Sequence, residues 1–250
     1  MDAASDSWCG LDENSGSTGW MTPLTGVLFD WRGTLVTVLE PHEWAREALT
    51  LLGRAADDDS TAALWDAIRS AAGHPDRLSS PECDTSKATH RRIYYDVFAD
   101  AGLDADLADA LYAVESDASY NEFAVDVGPT IRRLAAAGVK VGVVSDIHFD
   151  LRPVFAAQGL DTSIDAFVLS YEHGVQKPDP AFFEVALETL GTTAQETLMV
   201  GDRASHDGAA IALGIATLLV PPLTDVHQTR LHLVEGILAA NAREQRARDG

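Results

Sequence analysis

Apolar and polar positions divide the chain into three rhythms. A short apolar run, Leu24 to Phe29, ends at Asp30 and is followed at once by the turn residues Gly33 and Thr34. Such a run reads as a buried strand that delivers Asp30 to the carboxyl edge of a sheet, where open parallel sheets bind ligands. From Glu43 to about Phe123 the period becomes helical. Trp44, Ala48, Leu51 and Leu52 keep helix spacing, and Ala63, Leu64, Ala67, Ile68 and Ala71 repeat it. Beyond a Gly73-His74-Pro75 break come Ile93, Tyr94, Val97 and Phe98, ended by Gly102, and then Leu107, Ala110, Leu111 and Val114. No strand is expected there. From Gly128 onward helices and strands alternate. Helices are expected at 129–137, 151–158, 180–190, 207–213 and 231–248, with strands at 139–144, 166–169, 197–200 and 216–220. This alternation predicts an α/β fold with a doubly wound, Rossmann-like parallel sheet. The domain expectation is a core of residues 23–40 and 124–250, a helical insertion at 41–123, and a flexible tail over 1–22, where no periodicity is visible.

Composition adds limits. Of 250 residues 46% are hydrophobic, enough for one sizeable core with a smaller lobe. Acidic residues outnumber basic ones 39 to 18, a formal charge of −21, which argues against nucleic acid or an anionic membrane as partner. A phosphate-bearing substrate would need local cations or a metal to overcome that field. No apolar stretch reaches membrane-spanning length, and the N-terminus lacks the basic-then-apolar pattern of a signal peptide. Cys9 and Cys83 are too few for a disulfide framework, so a cytoplasmic monomer or homodimer is expected.

Candidate chemistry collects at one edge of the sheet. Asp30, Ser145, Lys177, Asp202 and Asp207 all fall at expected strand ends or helix starts. Phosphoryl transfer to a carboxylate needs such a set: a nucleophile, a hydroxyl donor, a fixed cation and acidic groups for a divalent metal. Three carboxylates supply the oxygen ligands that Mg²⁺ prefers.

Four motifs carry a family resemblance: Phe29-Asp30-Trp31-Arg32-Gly33-Thr34-Leu35, Val143-Val144-Ser145-Asp146, Val175-Gln176-Lys177-Pro178-Asp179-Pro180, and Val200-Gly201-Asp202-Arg203-Ala204-Ser205-His206-Asp207. In this order they resemble the haloacid dehalogenase superfamily of hydrolases over Leu24 to about Pro222. The insertion is similar to that family's helical cap. The resemblance implies a small phosphorylated substrate, Asp30 as the nucleophile forming an aspartyl intermediate, Ser145 bonding the transferring group and Lys177 stabilising its charge. It implies Mg²⁺ held by Asp30, Asp202, Asp207 and the backbone carbonyl of Arg32. Arg32, Gly33, Thr34 and Asp146 are the expected substrate-side residues.

One position departs from the pattern. Family phosphatases carry a second aspartate two residues after the nucleophile, as general acid and then base; here it is Arg32. A guanidinium does not release its proton at any useful pH. That leaves a slow phosphatase, one suited to good leaving groups, or a non-catalytic phosphate-binding relative, with Arg32 either binding an anion or pairing with a carboxylate. Dehalogenases also lack the aspartate, but they lack the Asp202 and Asp207 pair as well. Phosphonoacetaldehyde hydrolases share the Asp-Trp start and need a cap lysine. Lys87 is the insertion's one lysine, and it is read as an exposed helix-start residue. His42, Trp44, His90, Arg91 and Arg92 are read as surface or core, Trp31 as packing, and His206 as loop.

Overall fold

The computed structural model describes residues 22–249; the tail expected over 1–22, with Cys9, lies almost wholly outside them. Five strands form one parallel sheet in the order β3-β2-β1-β4-β5, with β1 Gly26–Phe29, β2 Lys140–Ser145, β3 Ala166–Leu169, β4 Thr197–Gly201 and β5 Ala216–Leu219. Every pairing is parallel. Successive side chains on a strand point to opposite faces, and here both faces are buried. Val27 and Phe29 pack with Val143, Val200 and Phe155 on one side, while Leu28 packs with Val144, Phe182 and Phe183 on the other. The first face is covered by helices α5 (Val127–Ala136), α6 (Arg152–Ala157) and α9 (His232–Asp249). The second is covered by α8 (Pro180–Leu190).

Four helices precede α5 in the stretch between β1 and β2: α1 Pro41–Leu51, α2 Asp58–Ala72, α3 Lys87–Asp100 and α4 Ala105–Glu115. They have a hydrophobic cluster of their own, built on Trp44, Ile68, Phe98 and Leu111, and the Trp44 indole donates to the Leu111 carbonyl at 2.9 Å. Asp57, Ser86 and Asp104 cap α2, α3 and α4, each accepting from a backbone N–H in the first turn. Most positions of the stripes seen in the sequence lie on the buried faces of these helices, but Leu51 and Ala63 are exposed.

Two local expectations differ. Asp207–Leu213 is wound as a 3₁₀ turn and not as an α-helix, and just ahead of it the Asp207 side chain folds back to accept from the Arg203 N–H at 2.9 Å. Ser170–His173 adds a one-turn helix, α7, too short for any periodicity to register.

Candidate active site

The order of the strands decides where the charges meet. The chain winds from β1 out to β3 on one side and from β4 to β5 on the other, so the carboxyl ends of β1 and β4 flank a topological switch point, where such sheets bind ligands. Phe29 pairs with Val143 of β2 and Val200 of β4, and the Asp30 N–H donates to the Val200 carbonyl at 2.9 Å. Asp30 therefore leaves the sheet beside Gly201 and Asp202.

Lys177 organises what is there. Its ammonium, 2% exposed, donates to Asp30 Oδ1 at 2.6 Å and to Asp207 Oδ1 at 2.7 Å. Thr34 Oγ1 spans Asp30 Oδ2 and Asp202 Oδ1, both at 3.3 Å. The backbone N–H of Lys177 donates to Asp146 Oδ1 at 2.8 Å, fixing the loop that presents the ammonium. Ser145 closes β2 and is buried, but its hydroxyl stands outside this hydrogen-bond network.

Burial pushes the Asp30 carboxyl up to about 7, with Lys177 pulling against the shift and Asp207 adding to it. Burial also raises Asp146 to about 6, again against Lys177, and raises Asp202, helped by Asp207. Lys177 is pushed down by its own burial, yet Asp30 and Asp207 outweigh this and hold it above its ordinary value. Oxygens of Asp30, Asp202 and Asp207 lie within 4.8 Å of one another, so three carboxylates face one fixed cation. This donor set is all oxygen and short of positive charge, which fits a hard dication such as Mg²⁺.

Two glycines make the cluster possible. A β-carbon on Gly33, whose φ is +78°, would run into the Asp202 carboxylate, and one on Gly201 would run into that of Asp207. The Gly33 turn is also held from behind by Arg230. Its guanidinium, buried near α9, donates to the carbonyls of Gly33 at 3.0 Å and Thr34 at 2.5 Å, and to that of Pro221. Nothing in the sequence marks Arg230, because its partners are backbone carbonyls, two of them almost 200 positions away.

Arg32 points away from the acidic cluster. Nη1 donates to Glu115 Oε1 at 2.5 Å and Nη2 to the Glu115 carbonyl at 3.0 Å, so the loop after β1 is tied to the last residue of α4. Burial disfavours its charge, but Glu115 raises it above the usual guanidinium range. Of the two roles expected for Arg32, the structure shows the carboxylate pair. Trp31 is fully buried, edge-on to Phe149 at 5.9 Å. Lys87 is exposed at the start of α3, its ammonium 4.6 Å from the Tyr171 ring centroid. His206 lies in the turn before Asp207, between Arg203 and Ser205.

A second polar group lies along the seam between the insertion and the sheet domain. Asp84 is clasped there: its N–H donates to Gln176 Oε1 at 2.7 Å, and its carbonyl accepts from Ser170 Oγ at 2.7 Å. His90 of α3 and His148, in the loop after β2, stack beside it with ring centroids 3.4 Å apart. Burial pushes His90 down to about 3 and His148 to about 4, so both are neutral at physiological pH. Sequence reasoning left His90 as surface or core and did not reach Asp84 or His148.

A family model described as a haloacid dehalogenase-like hydrolase matches residues 24–214. A haloacid dehalogenase-like hydrolase domain-containing protein 3 of Danio rerio is 38% identical over 82 residues, 33% of this chain and 34% of that protein. A glyceraldehyde 3-phosphate phosphatase of Methanocaldococcus jannaschii is 33% identical over 93 residues, 36% of this chain and 41% of that protein. The chain thus spans between a third and about two fifths of the length of these curated relatives. Among solved structures, a HAD-hydrolase, YfnB of Bacillus subtilis bound to magnesium, superposes with a TM-score of 0.63 at 17% identity, over 87% of this chain and 100% of that one. That likeness speaks for the fold.

Proposed function

The chain belongs to the haloacid dehalogenase-like hydrolases, and from that premise we propose that it is a Mg²⁺-dependent phosphatase of small phosphorylated metabolites working through Asp30. The observation that carries this reading is the Lys177 ammonium bridging Asp30 and Asp207, with Asp202 close by. The names of relatives such as the M. jannaschii phosphatase point the same way.

In this reading a carboxylate oxygen of Asp30 attacks phosphorus, and the bond to the leaving oxygen breaks, its electron pair departing with the leaving group. Water then attacks the aspartyl phosphate, which restores the carboxylate and releases inorganic phosphate. Lys177 works against the burial that favours protonated Asp30, orients the carboxylate before attack and offsets the charge that builds on the transferring group. Ser145, at the neighbouring strand end, donates to a phosphoryl oxygen, whereas the N–H groups of Gly33 and Thr34 are spent on the carbonyls of Val36 and Trp31. Mg²⁺, held by Asp30, Asp202, Asp207 and the carbonyl of Arg32, would neutralise the remaining negative charge. Arg32 itself carries no proton it can give. The leaving group must take its proton from solvent, and substrates with good leaving groups are favoured. The helical insertion, residues 41–123, serves as a cap that closes over the crevice, with Arg32 and Glu115 as one of its fastenings. The acidic surface and the two cysteines fit a cytoplasmic enzyme that does not bind nucleic acid.

A non-catalytic phosphate-binding role would be favoured by a guanidinium lying among the three aspartates; that of Arg32 is committed to Glu115 instead. The test is phosphate release from an aryl phosphate with Mg²⁺ by wild type and Asp30→Asn. If no member of a broad phosphate panel turns over and Arg32→Asp restores nothing, the phosphatase reading fails.

A further inference from the structure

The seam holds three donors whose arrangement the proposed chemistry does not use. Asp84 Oδ1 lies 3.8 Å from His90 Nε2 and 3.9 Å from His148 Nδ1, too far for a hydrogen bond to either. The two imidazoles are 2% and 3% exposed. Each has its other nitrogen against a hydroxyl: His90 Nδ1 is 3.3 Å from the Tyr112 hydroxyl, and His148 Nε2 is 2.9 Å from Ser116 Oγ. His148 Nδ1, turned toward Asp84, has no hydrogen-bond partner although it is buried. A buried imidazole nitrogen without a partner costs stability unless something occupies the space in front of it.

Consider where the protons go. With the outer nitrogens donating to the two hydroxyls, the inner nitrogens present lone pairs, and two lone pairs then converge on a carboxylate that feels Arg32, Arg203 and Lys177 only from beyond ion-pair distance. With the protons on the inner nitrogens instead, the N–H groups end too far from Asp84 to be satisfied. A cation resolves the conflict and a second proton arrangement does not. One ring nitrogen ligating while the other is held by a polar partner is the usual setting of a metal-bound histidine.

We propose that Asp84, His90 and His148 form a second metal site, distinct from the three-aspartate cluster, for a borderline divalent transition metal such as Zn²⁺. Two imidazoles and one carboxylate match the preference of Zn²⁺ and differ from the all-oxygen set suited to Mg²⁺. Ligand atoms around a tetrahedral Zn²⁺ lie about 3.3 Å apart, given bonds of about 2.0 Å. The donors therefore close by roughly half an ångström, and the stacked rings tilt apart to aim at the ion. Asp84 comes pre-positioned, since Gln176 and Ser170 clasp its backbone from the sheet side. His90 belongs to the insertion and His148 to the sheet domain, so the ion fastens one to the other.

The test uses the full chain, stripped with chelator and then kept in excess Mg²⁺ to occupy the three-aspartate cluster. Zn²⁺ is titrated by calorimetry, and Co²⁺ by its visible absorption. Wild type and Asp202→Asn are expected to bind one equivalent. Outer partners of metal-bound histidines are by themselves worth about 10–100-fold in affinity, so His90→Gln and His148→Gln should each weaken binding by at least about 100-fold. X-ray absorption of the Zn²⁺-loaded wild type gives a readout independent of whether the variants fold, and two imidazoles should appear in its first shell. Failure of wild type to bind in excess Mg²⁺, binding that survives both histidine changes, loss of binding in Asp202→Asn, or a shell of oxygens alone would each overturn the site. None of these readouts depends on phosphatase activity.

Discussion

The two polar clusters differ in how the chain builds them. The three-aspartate cluster sits where strands end, and its members arrive by the regular spacing of a parallel sheet. Asp30 and Asp202 leave neighbouring strands, and Lys177 and Asp207 reach the same crevice from adjoining loops. The seam cluster has no such frame. Asp84 sits in a short 3₁₀ turn, His90 on a helix and His148 in a loop, and they meet only because the insertion docks on the sheet domain. The first cluster is full of charge, and the second keeps its imidazoles neutral. A strand edge can concentrate ions because backbone and glycine gaps hold them apart; in the seam the buried imidazoles stay neutral, and charge remains only where it is paired, as in Arg32 with Glu115.

The sharpest break of this contrast is at Asp30. Asp30→Asn preserves shape and removes the proposed nucleophile, and it should cut phosphate release with Mg²⁺ by at least about 10³-fold. Circular dichroism and thermal melting should show the fold kept. An equal loss from His148→Gln would mean the seam takes part in the chemistry, and the two clusters would have to be treated as one site. Next in size is Lys177→Met. Removing one partner of a buried ion pair costs about 3–5 kcal/mol. Urea denaturation should show a loss of that order without metal, and a smaller loss with Mg²⁺ added.

The same contrast explains what could be read from the sequence. Asp30 and Asp202 were legible because a short apolar run followed by a turn announces a strand end, and strand ends in a parallel sheet share one edge; Lys177 and Asp207 were legible through the motifs that contain them. The helices of the insertion were legible as helices from their stripes, though α2 and α3 begin five or six residues before the first stripe position. The pairing of Arg32 with Glu115 was visible only as one of two options, since nothing along the chain fixes how α4 returns over the sheet. Arg230 and the Asp84–His90–His148 cluster were illegible for a physical reason. Their contacts are to backbone carbonyls or to residues on separately folded elements, and side-chain periodicity records neither.

A milder probe of the seam is Arg32 itself. Arg32→Asp would set a new carboxylate against Glu115, so it should be combined with Glu115→Gln. The double variant gains the missing proton donor, and its turnover of alkyl phosphates should rise by about 10²-fold relative to aryl phosphates. A uniform drop across both substrates would instead assign Arg32 to holding the cap. Arg230→Met removes charged hydrogen bonds to the Gly33 turn, each worth roughly 1.5–3 kcal/mol. It should lower the urea midpoint, and it should lower kcat more than it raises KM.

The smallest effect separates the clusters by pH. His90 and His148 have folded-state values of about 3 and 4, below the ordinary histidine range. The unfolded chain therefore binds their protons more readily than the folded one. The stability this implies is fully present above about pH 6.5 and is lost as pH falls toward 4. In metal-stripped protein, urea midpoints measured from pH 7 to pH 4.5 should fall less steeply for His90→Gln and His148→Gln than for wild type. Zn²⁺ should deepen the fall in wild type, since protons then compete with the ion for the same nitrogens. A wild-type curve parallel to both variants would place the imidazoles in contact with solvent protons already, and the seam would not be the dry surface of neutral imidazoles that distinguishes it from the strand edge.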